Sequence, residues 1–240
     1  MQALRDGGDG KHSLKSTELE RAIRIKMCLG RQRTLIPRPQ DFEHSCEQPG
    51  PIKGVKKKSK EKSKAKNLLK SDDVQNTLNC LKKLGVKIVQ KNNLCTIEGR
   101  GLNGFIYKKN LTLNAGNSGT LGRLILGLLV KSNKKIKLVG DKSLSKRDFS
   151  RITKPLNLFG ANIKSKKNSL PIEIEGTDFL RPINYLEKIG SAQVKSAIIL
   201  AAMNTPGKTI IKALKSRDHT ERMLKYLKLP IKIKTKKKYN

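Results

Sequence analysis

Acidic residues and aromatic rings are scarce in this sequence. Asp and Glu total 19 against 53 Lys and Arg in 240 residues, aromatics make up 4%, and tryptophan is absent. So few rings remove the stacking platforms on which single-stranded nucleic acids are usually held. Apolar residues also fall short, at 36% against roughly 45–50% for an average globular domain. A packed core is therefore expected in part of the chain. The longest apolar run, Leu124 to Val130, is far below the ~20 residues that cross a bilayer, and the N-terminus has no apolar stretch of signal-peptide type. The four cysteines, Cys28, Cys46, Cys80 and Cys95, share no metal-ligand spacing, which argues against a zinc knuckle and fits a reducing cytoplasm. His12, His44 and His219 have no partner spacing for a triad or a metal.

What is abundant is lysine, giving a formal net charge of +34. One dense block runs from Lys53 to Lys70 with a single acid, Glu61, and a second closes the chain from Lys232 to Tyr239. Clustered lysines neutralise phosphates and release counterions, so non-specific binding to polyanions at low salt is expected. Elsewhere lysine alternates with apolar positions, as on solvated faces of strands and helices.

Residues 1–52 read as a loosely ordered segment, with Gly7, Gly8 and Gly10 at one end, Pro37, Pro39, Pro49 and Pro51 at the other, and a short helix over Glu18–Leu29 between them. Residues 53–66 read as a lysine-rich linker or a damaged element. From Asn67 the sequence repeats itself. Asp73, Asp148 and Asp218 are each followed twelve positions on by a turn residue, Gly85, Gly160 or Pro230, and three further by Ile88, Ile163 or Ile233. Matched spacing of this kind marks a repeat architecture.

Each copy reads as an amphipathic helix, a tight turn and a strand. Val74, Leu78, Leu81 and Leu84 share one helical face. Ser71 and Ser216 stand where a hydroxyl caps a helix, Gly85 and Gly160 suit the left-handed position that ends one, and Pro155 is expected to kink the middle helix or start a new turn. LCTIEG (94–99) and PIEIEG (171–176) complete β-hairpins. Between copies, Thr120–Val130 and Ala192–Met203 are apolar nearly all round, as buried helices are, and lead into strands at Lys135–Val139 and Thr209–Leu214. The expected fold is α/β (α+β), built of β-α-β-α-β-β units packed around buried helices. The second unit is the most complete, the first lacks its opening half, and the third stops inside its hairpin.

The starts of these helices carry the candidate chemistry. Asn114-Ala115-Gly116-Asn117-Ser118-Gly119-Thr120 is either an anion-holding turn or a glycine-rich helix start without a ligand; it has no Walker Gly-Lys-Ser/Thr. Gly190-Ser191-Ala192-Gln193 occupies the same place one repeat later, where Ser191 is either a ligand or a helix cap. Arg147 either grips a carboxylate or phosphate with its planar fork or pairs with a neighbouring aspartate.

Taken together, NAGNSGTLGRL (114–124), GDKSLSKRDFSRITKPL (140–156), GSAQVKSAIILAAM (190–203) and SRDHTERML (216–224) resemble the N-terminal half of the EPSP synthase family of enolpyruvyl transferases. The resemblance runs from about Asn67 to about Lys234. It implies one domain of a two-domain fold, usually monomeric, working in chorismate and aromatic amino-acid biosynthesis. In that chemistry the 5-hydroxyl of shikimate 3-phosphate attacks phosphoenolpyruvate and phosphate leaves, without metal or organic cofactor. By similarity Ser191, Ala192, Gln193 and Ser216 hold the shikimate phosphate and ring, Gly119 and Arg147 contact phosphoenolpyruvate, and Asn117 shapes the same turn. The family's PGDKS-type segment is missing here, and Lys57, Lys58 and Lys60 do not replace it. Residues 235–240 read as a basic tail where the family enters its second domain, which supplies the general acid/base groups, so no catalytic residue is assigned. The expectation is a carboxyvinyl transferase whose chain is incomplete. The alternatives are an inactive fragment that only binds shikimate 3-phosphate, or a basic nucleic-acid-binding protein.

Overall fold

The computed structural model describes residues 62–100, 104–227 and 229–234, together with the backbone of 44–47. The helix expected at Glu18–Leu29 and most of residues 1–61 lie outside the described residues, as do residues 235–240.

The middle repeat is complete. Strand β5 (Leu111–Asn114) leads into helix α2 (Gly119–Leu129) and strand β6 (Ile136–Val139); helix α3 (Ser150–Leu158) then precedes strands β7 (Asn162–Ser165) and β8 (Ile172–Glu175). The sheet order is β5-β6-β8-β7, with β5 and β6 parallel and the β7–β8 hairpin antiparallel. Parallel neighbours need a crossover, and α2 supplies it. The third repeat opens the same way: strand β9 (Asn184–Glu187), helix α4 (Ala192–Ala202), strand β10 (Lys208–Ala213) parallel to β9, then helix α5 (His219–Tyr226). A backbone strand β1 (His44–Glu47) pairs antiparallel with β10.

The first repeat holds strand β2 (Lys62–Lys66), helix α1 (Asp72–Lys83), and the β3 (Lys87–Lys91) and β4 (Leu94–Glu98) hairpin, in sheet order β2-β4-β3. Residues 62–66 therefore form a strand, where the sequence reading has the end of a linker. β2 pairs with β4 from Lys62↔Glu98 to Lys66↔Leu94 and stands where β6 stands in the second repeat. Its lysines point to solvent, and only Ser63 and Ala65 face inward. Two small residues make no apolar alternation, so the strand is hidden in its charge.

Helices α2 and α4 form the centre. Leu121, Leu126, Leu129, Ala197, Ile198 and Leu200 are almost wholly buried there, with Phe149, Leu156 and Phe159 of the middle repeat around them. The two helices approach closely at Gly127, where a Cβ would run into the Ala197 carbonyl. A smaller cluster, Val74, Leu78, Leu81, Ile88, Cys95 and Ile97, joins α1 to its own sheet.

The chain leaves α1 through Gly85 and α3 through Gly160, at φ +85° and +105°, the left-handed conformation expected of both. Pro155 is buried and lies inside α3, which continues through it as one short helix. Ser71 occupies the N-cap of α1 without a side-chain cap bond. α5 begins only at His219 with Asp218 as its N-cap, so Ser216 is no cap either. Both hydroxyls are buried without a protein hydrogen-bond partner.

Candidate functional site

The turn before α2 is shaped by its own side chains. Gly116 takes φ +57° and donates its N–H to Asn114 Oδ1 at 2.8 Å. Ser118 caps the helix by accepting the Leu121 N–H at 3.3 Å. That leaves the Asn117 side chain facing outward, where its Oδ1 accepts from Arg147 Nη2 at 3.2 Å. Arg147 lies between two anchors, the wholly buried Leu144 and Phe149, which hold its backbone while its fork stays exposed. Of the two readings of Arg147, pairing with the neighbouring aspartate is not what forms. Asp148 is taken by Ser150, whose N–H and Oγ both lie at 2.7 Å. Those bonds hold the Asp148 carboxyl below the usual carboxylate range.

Gly119 is the first residue of α2, and a Cβ there would stand 2.9 Å from Arg123 Nη1 and 3.0 Å from Arg147 Nη1. Two guanidinium groups thus converge on the bare Cα of one glycine. Arg123 was not singled out from sequence, although a signal was present: it is the one charged residue in a helix whose only other polar side chain is Thr120. It sits half-buried over the Phe149 ring, 5.3 Å from the centroid, and Nη1 donates to Gln193 Oε1 at 2.9 Å. Burial, then the charges of Arg147 and Arg151, pull its guanidinium below the usual value, with Asp148 opposing.

Gln193 joins the two repeats. Its carbonyl oxygen receives Arg123 and its Nε2 donates to Thr120 Oγ1 at 3.0 Å, so the first turns of α2 and α4 lie side by side. Ser191 is the N-cap of α4 and accepts the Val194 N–H at a long 3.4 Å. It does cap the helix, though one weak bond leaves the hydroxyl able to donate elsewhere. Ala192 follows in the same turn. Ser216 reaches this region through its neighbours, because Lys215 O and Leu214 Cβ lie 3.4 and 3.6 Å from the position of a Gly190 Cβ.

Asn117, Gly119, Arg147 and Gln193 are therefore linked directly or through Arg123. Ser191 and Ala192 share the first turn with Gln193, and Ser216 follows the strand end packed on Gly190. Beneath them Lys195 and Glu221 form a buried ion pair at 2.6 Å, 3% and 0% exposed, and Ser196 meets Thr220 at 2.7 Å. These polar contacts dock α5 on α4. What the arrangement can do is bind anions: a cationic fork pair, a glycine that lets a ligand approach the backbone, and two helix N-termini with partial positive charge.

Residues 59–240 match the family EPSP synthase (3-phosphoshikimate 1-carboxyvinyltransferase). The chain is 44% identical over 162 residues to the 3-phosphoshikimate 1-carboxyvinyltransferase of Caldicellulosiruptor saccharolyticus, covering 66% of this chain and 37% of that protein. It is 46% identical over 161 residues to that of Leuconostoc citreum, with the same coverages. In three dimensions it is similar to EPSP synthase from Acinetobacter baumannii, with a TM-score of 0.68 and 32% identity, over 88% of this chain and 41% of that one. The chain spans under two fifths of the length of these two curated relatives. With the family matched over most of its length and the repeat fold shared, the chain belongs to the EPSP synthase family.

Proposed function

We propose that this chain is the substrate-gathering part of a 3-phosphoshikimate 1-carboxyvinyltransferase. That enzyme moves the enolpyruvyl group of phosphoenolpyruvate to the 5-hydroxyl of shikimate 3-phosphate and releases phosphate. Ser191, Ala192, Gln193 and Ser216 hold shikimate 3-phosphate. Gly119 and Arg147, with Arg123 behind them, receive phosphoenolpyruvate, and Asn117 orients Arg147. The observation that carries this reading is the approach of Arg123 and Arg147 to Gly119 beside Gln193. Both substrates are polyanions, and opposed guanidinium groups gain most when an anion lies between them.

In the described site the Asp148 carboxylate is taken by Ser150, and no general acid or base is assigned among the described residues. On those residues alone the chain is a binder, and turnover needs proton-transfer groups beyond them. General acid–base chemistry contributes about 10²–10⁴-fold to a rate. Calorimetric titration of the chain with shikimate 3-phosphate tests the reading: saturable one-to-one binding is expected, weakened in Ser191→Ala and Ser216→Ala variants. Absence of any binding overturns it. Phosphate release dependent on both substrates, from the chain alone, overturns the claim that it is only a binder.

A second reading rests on the outer face of the first sheet. Register sets Lys62, Glu98 and Lys87 in one row, Lys66, Leu94 and Lys91 in another, and Lys64 between them. Five lysines thus share one face about 10 Å across from β2 to β3, with Glu98 alone to offset Lys62 and Lys87, at 3.5 Å each. Such a face attracts polyanions such as RNA. Binding to an RNA homopolymer that falls steeply with salt, and is lost in a Lys64→Glu, Lys66→Glu, Lys91→Glu variant, supports it; salt-insensitive or unchanged binding removes it.

A further inference from the structure

A carboxylate lies beneath the turn that starts α4. Glu187, the last residue of β9, is 3% exposed. Its Oε1 accepts the Ile189 N–H at 3.1 Å, and its Oε2 accepts those of Gly190 at 2.6 Å and Ser191 at 3.1 Å. The turn therefore wraps an anion supplied by the chain itself. Burying a lone carboxylate costs several kcal/mol; three charge-assisted bonds and the N-terminus of α4 offset that cost here. Gly190 makes the wrap possible, since its φ of +74° turns its N–H back toward β9, a conformation other residues adopt poorly.

The same residue reaches the other half of the site through its main chain. Glu187 pairs with Ala213 in the β9–β10 ladder, and its carbonyl accepts the Leu214 N–H at 3.3 Å, two residues before Ser216. Side chain and backbone of one residue thus fix the segment bearing Ser191 and the segment bearing Ser216.

We propose that Glu187 is the positioning residue of the anion site, setting the distance between the Ser191 and Ser216 hydroxyls before a ligand arrives. This rests on the reading that those serines hold shikimate 3-phosphate. Glu187 does not touch the ligand. Because it fills the amides of 189–191, the ligand is left the serine hydroxyls and the first helical turn of α4.

The test uses the full chain and its Glu187→Gln variant, whose amide keeps the shape but offers one acceptor oxygen to three donors. Three quantities are read: the unfolding midpoint, shikimate 3-phosphate affinity by calorimetry, and amide hydrogen exchange at residues 189–191. Slow exchange of those amides is expected in the parent chain. In Glu187→Gln they exchange faster, and affinity falls about tenfold or more while the midpoint moves little. Equal affinity of parent and variant overturns the proposal. So does a variant that loses affinity only in proportion to a lowered midpoint, since that is a merely structural role. If the parent does not bind shikimate 3-phosphate, the functional reading fails by itself, and exchange still decides whether Glu187 orders the turn. If Glu187→Gln does not fold, fast exchange of 189–191 in the parent overturns the proposal and slow exchange supports it.

Discussion

Replacing Gly119 by alanine separates binding from folding. Gly119 opens α2 and its φ is not in the left-handed region, so a methyl group strains no backbone. Alanine in place of glycine gains up to about 1 kcal/mol of helix stability. The new Cβ meets only the ends of two long side chains, Arg123 Nη1 at 2.9 Å and Arg147 Nη1 at 3.0 Å, with Leu144 Cδ1 at an ordinary 3.8 Å. Those arginine ends need move only a few tenths of an ångström, so the unfolding midpoint should hold or rise by a few degrees. Binding should not hold. The methyl occupies the space toward which both forks point, and a hydrogen bond to a charged group is worth about 1.5–3 kcal/mol, which makes the expected loss for phosphoenolpyruvate about 10–150-fold. Calorimetry at fixed salt, paired with thermal unfolding, reads both quantities. Unchanged phosphoenolpyruvate affinity, or a fall in stability of more than about 1 kcal/mol, would refute the reasoning.

Three further substitutions address the scaffold. Gly127→Ala places a Cβ against the Ala197 carbonyl, backbone that cannot swing aside. Overpacking of about 1–3 kcal/mol should outweigh the helix-propensity gain, and denaturant unfolding with a raised midpoint would contradict it. Lys195→Met removes the buried cation 2.6 Å from Glu221 and should cost about 3–5 kcal/mol, whereas Lys195→Met with Glu221→Leu should recover most of that; equal losses in single and double variants would deny the coupling. Burial pushes the Cys80 thiol up to about 11, against the lowering pull of Lys83. It should resist iodoacetamide in the folded chain at pH 8 and react once the chain is unfolded in urea. Since this acid's folded value is raised, its contribution to stability is lost as pH climbs above its unfolded value near 9.

Legibility followed periodicity. The helices α1, α2 and α4 and both hairpins stand close to where the sequence places them, because apolar spacing and left-handed glycines are local signals. β2 escaped because its inward residues are Ser63 and Ala65, and only its register with β4 reveals it. The two expected caps part ways. Ser71 does stand at the N-cap of α1 and makes no side-chain cap bond, whereas Ser216 is displaced from the cap, because where a helix starts depends on how its preceding strand ends. In the third repeat that moves the N-cap two residues on, to Asp218. Among the candidate site residues, those with helix-start spacing carry a local signal in the sequence, and the two that tie them together do not. Arg123 reads as an interruption of an apolar helix, and Glu187 as the polar end of a strand. Their contacts span a repeat boundary in one case and a tight reversal in the other.

The packing of α2 and α4 gives a physical reason for a site to lie where it does. Thr120 touches Gln193 at the helix starts and Gly127 meets Ala197 further along, so the two helices run parallel. Parallel helices this close set like dipole ends side by side, each equivalent to about half a positive charge. Arg123 and Arg147 add full charges at the same end; Asp148 is occupied with Ser150, and Glu187 is spent on the turn that starts α4, which leaves the two guanidinium groups without a carboxylate between them among the described residues. A packing that places so much charge of one sign together is favoured by the apolar core below it and opposed by its own electrostatics above. A bound dianion removes the opposition without disturbing the core. Ligand-induced stabilisation should therefore be larger for shikimate 3-phosphate than for shikimate at equal free ligand concentration, and should shrink with added salt. Equal thermal shifts for the two would mean that the phosphate does not lie at the helix starts.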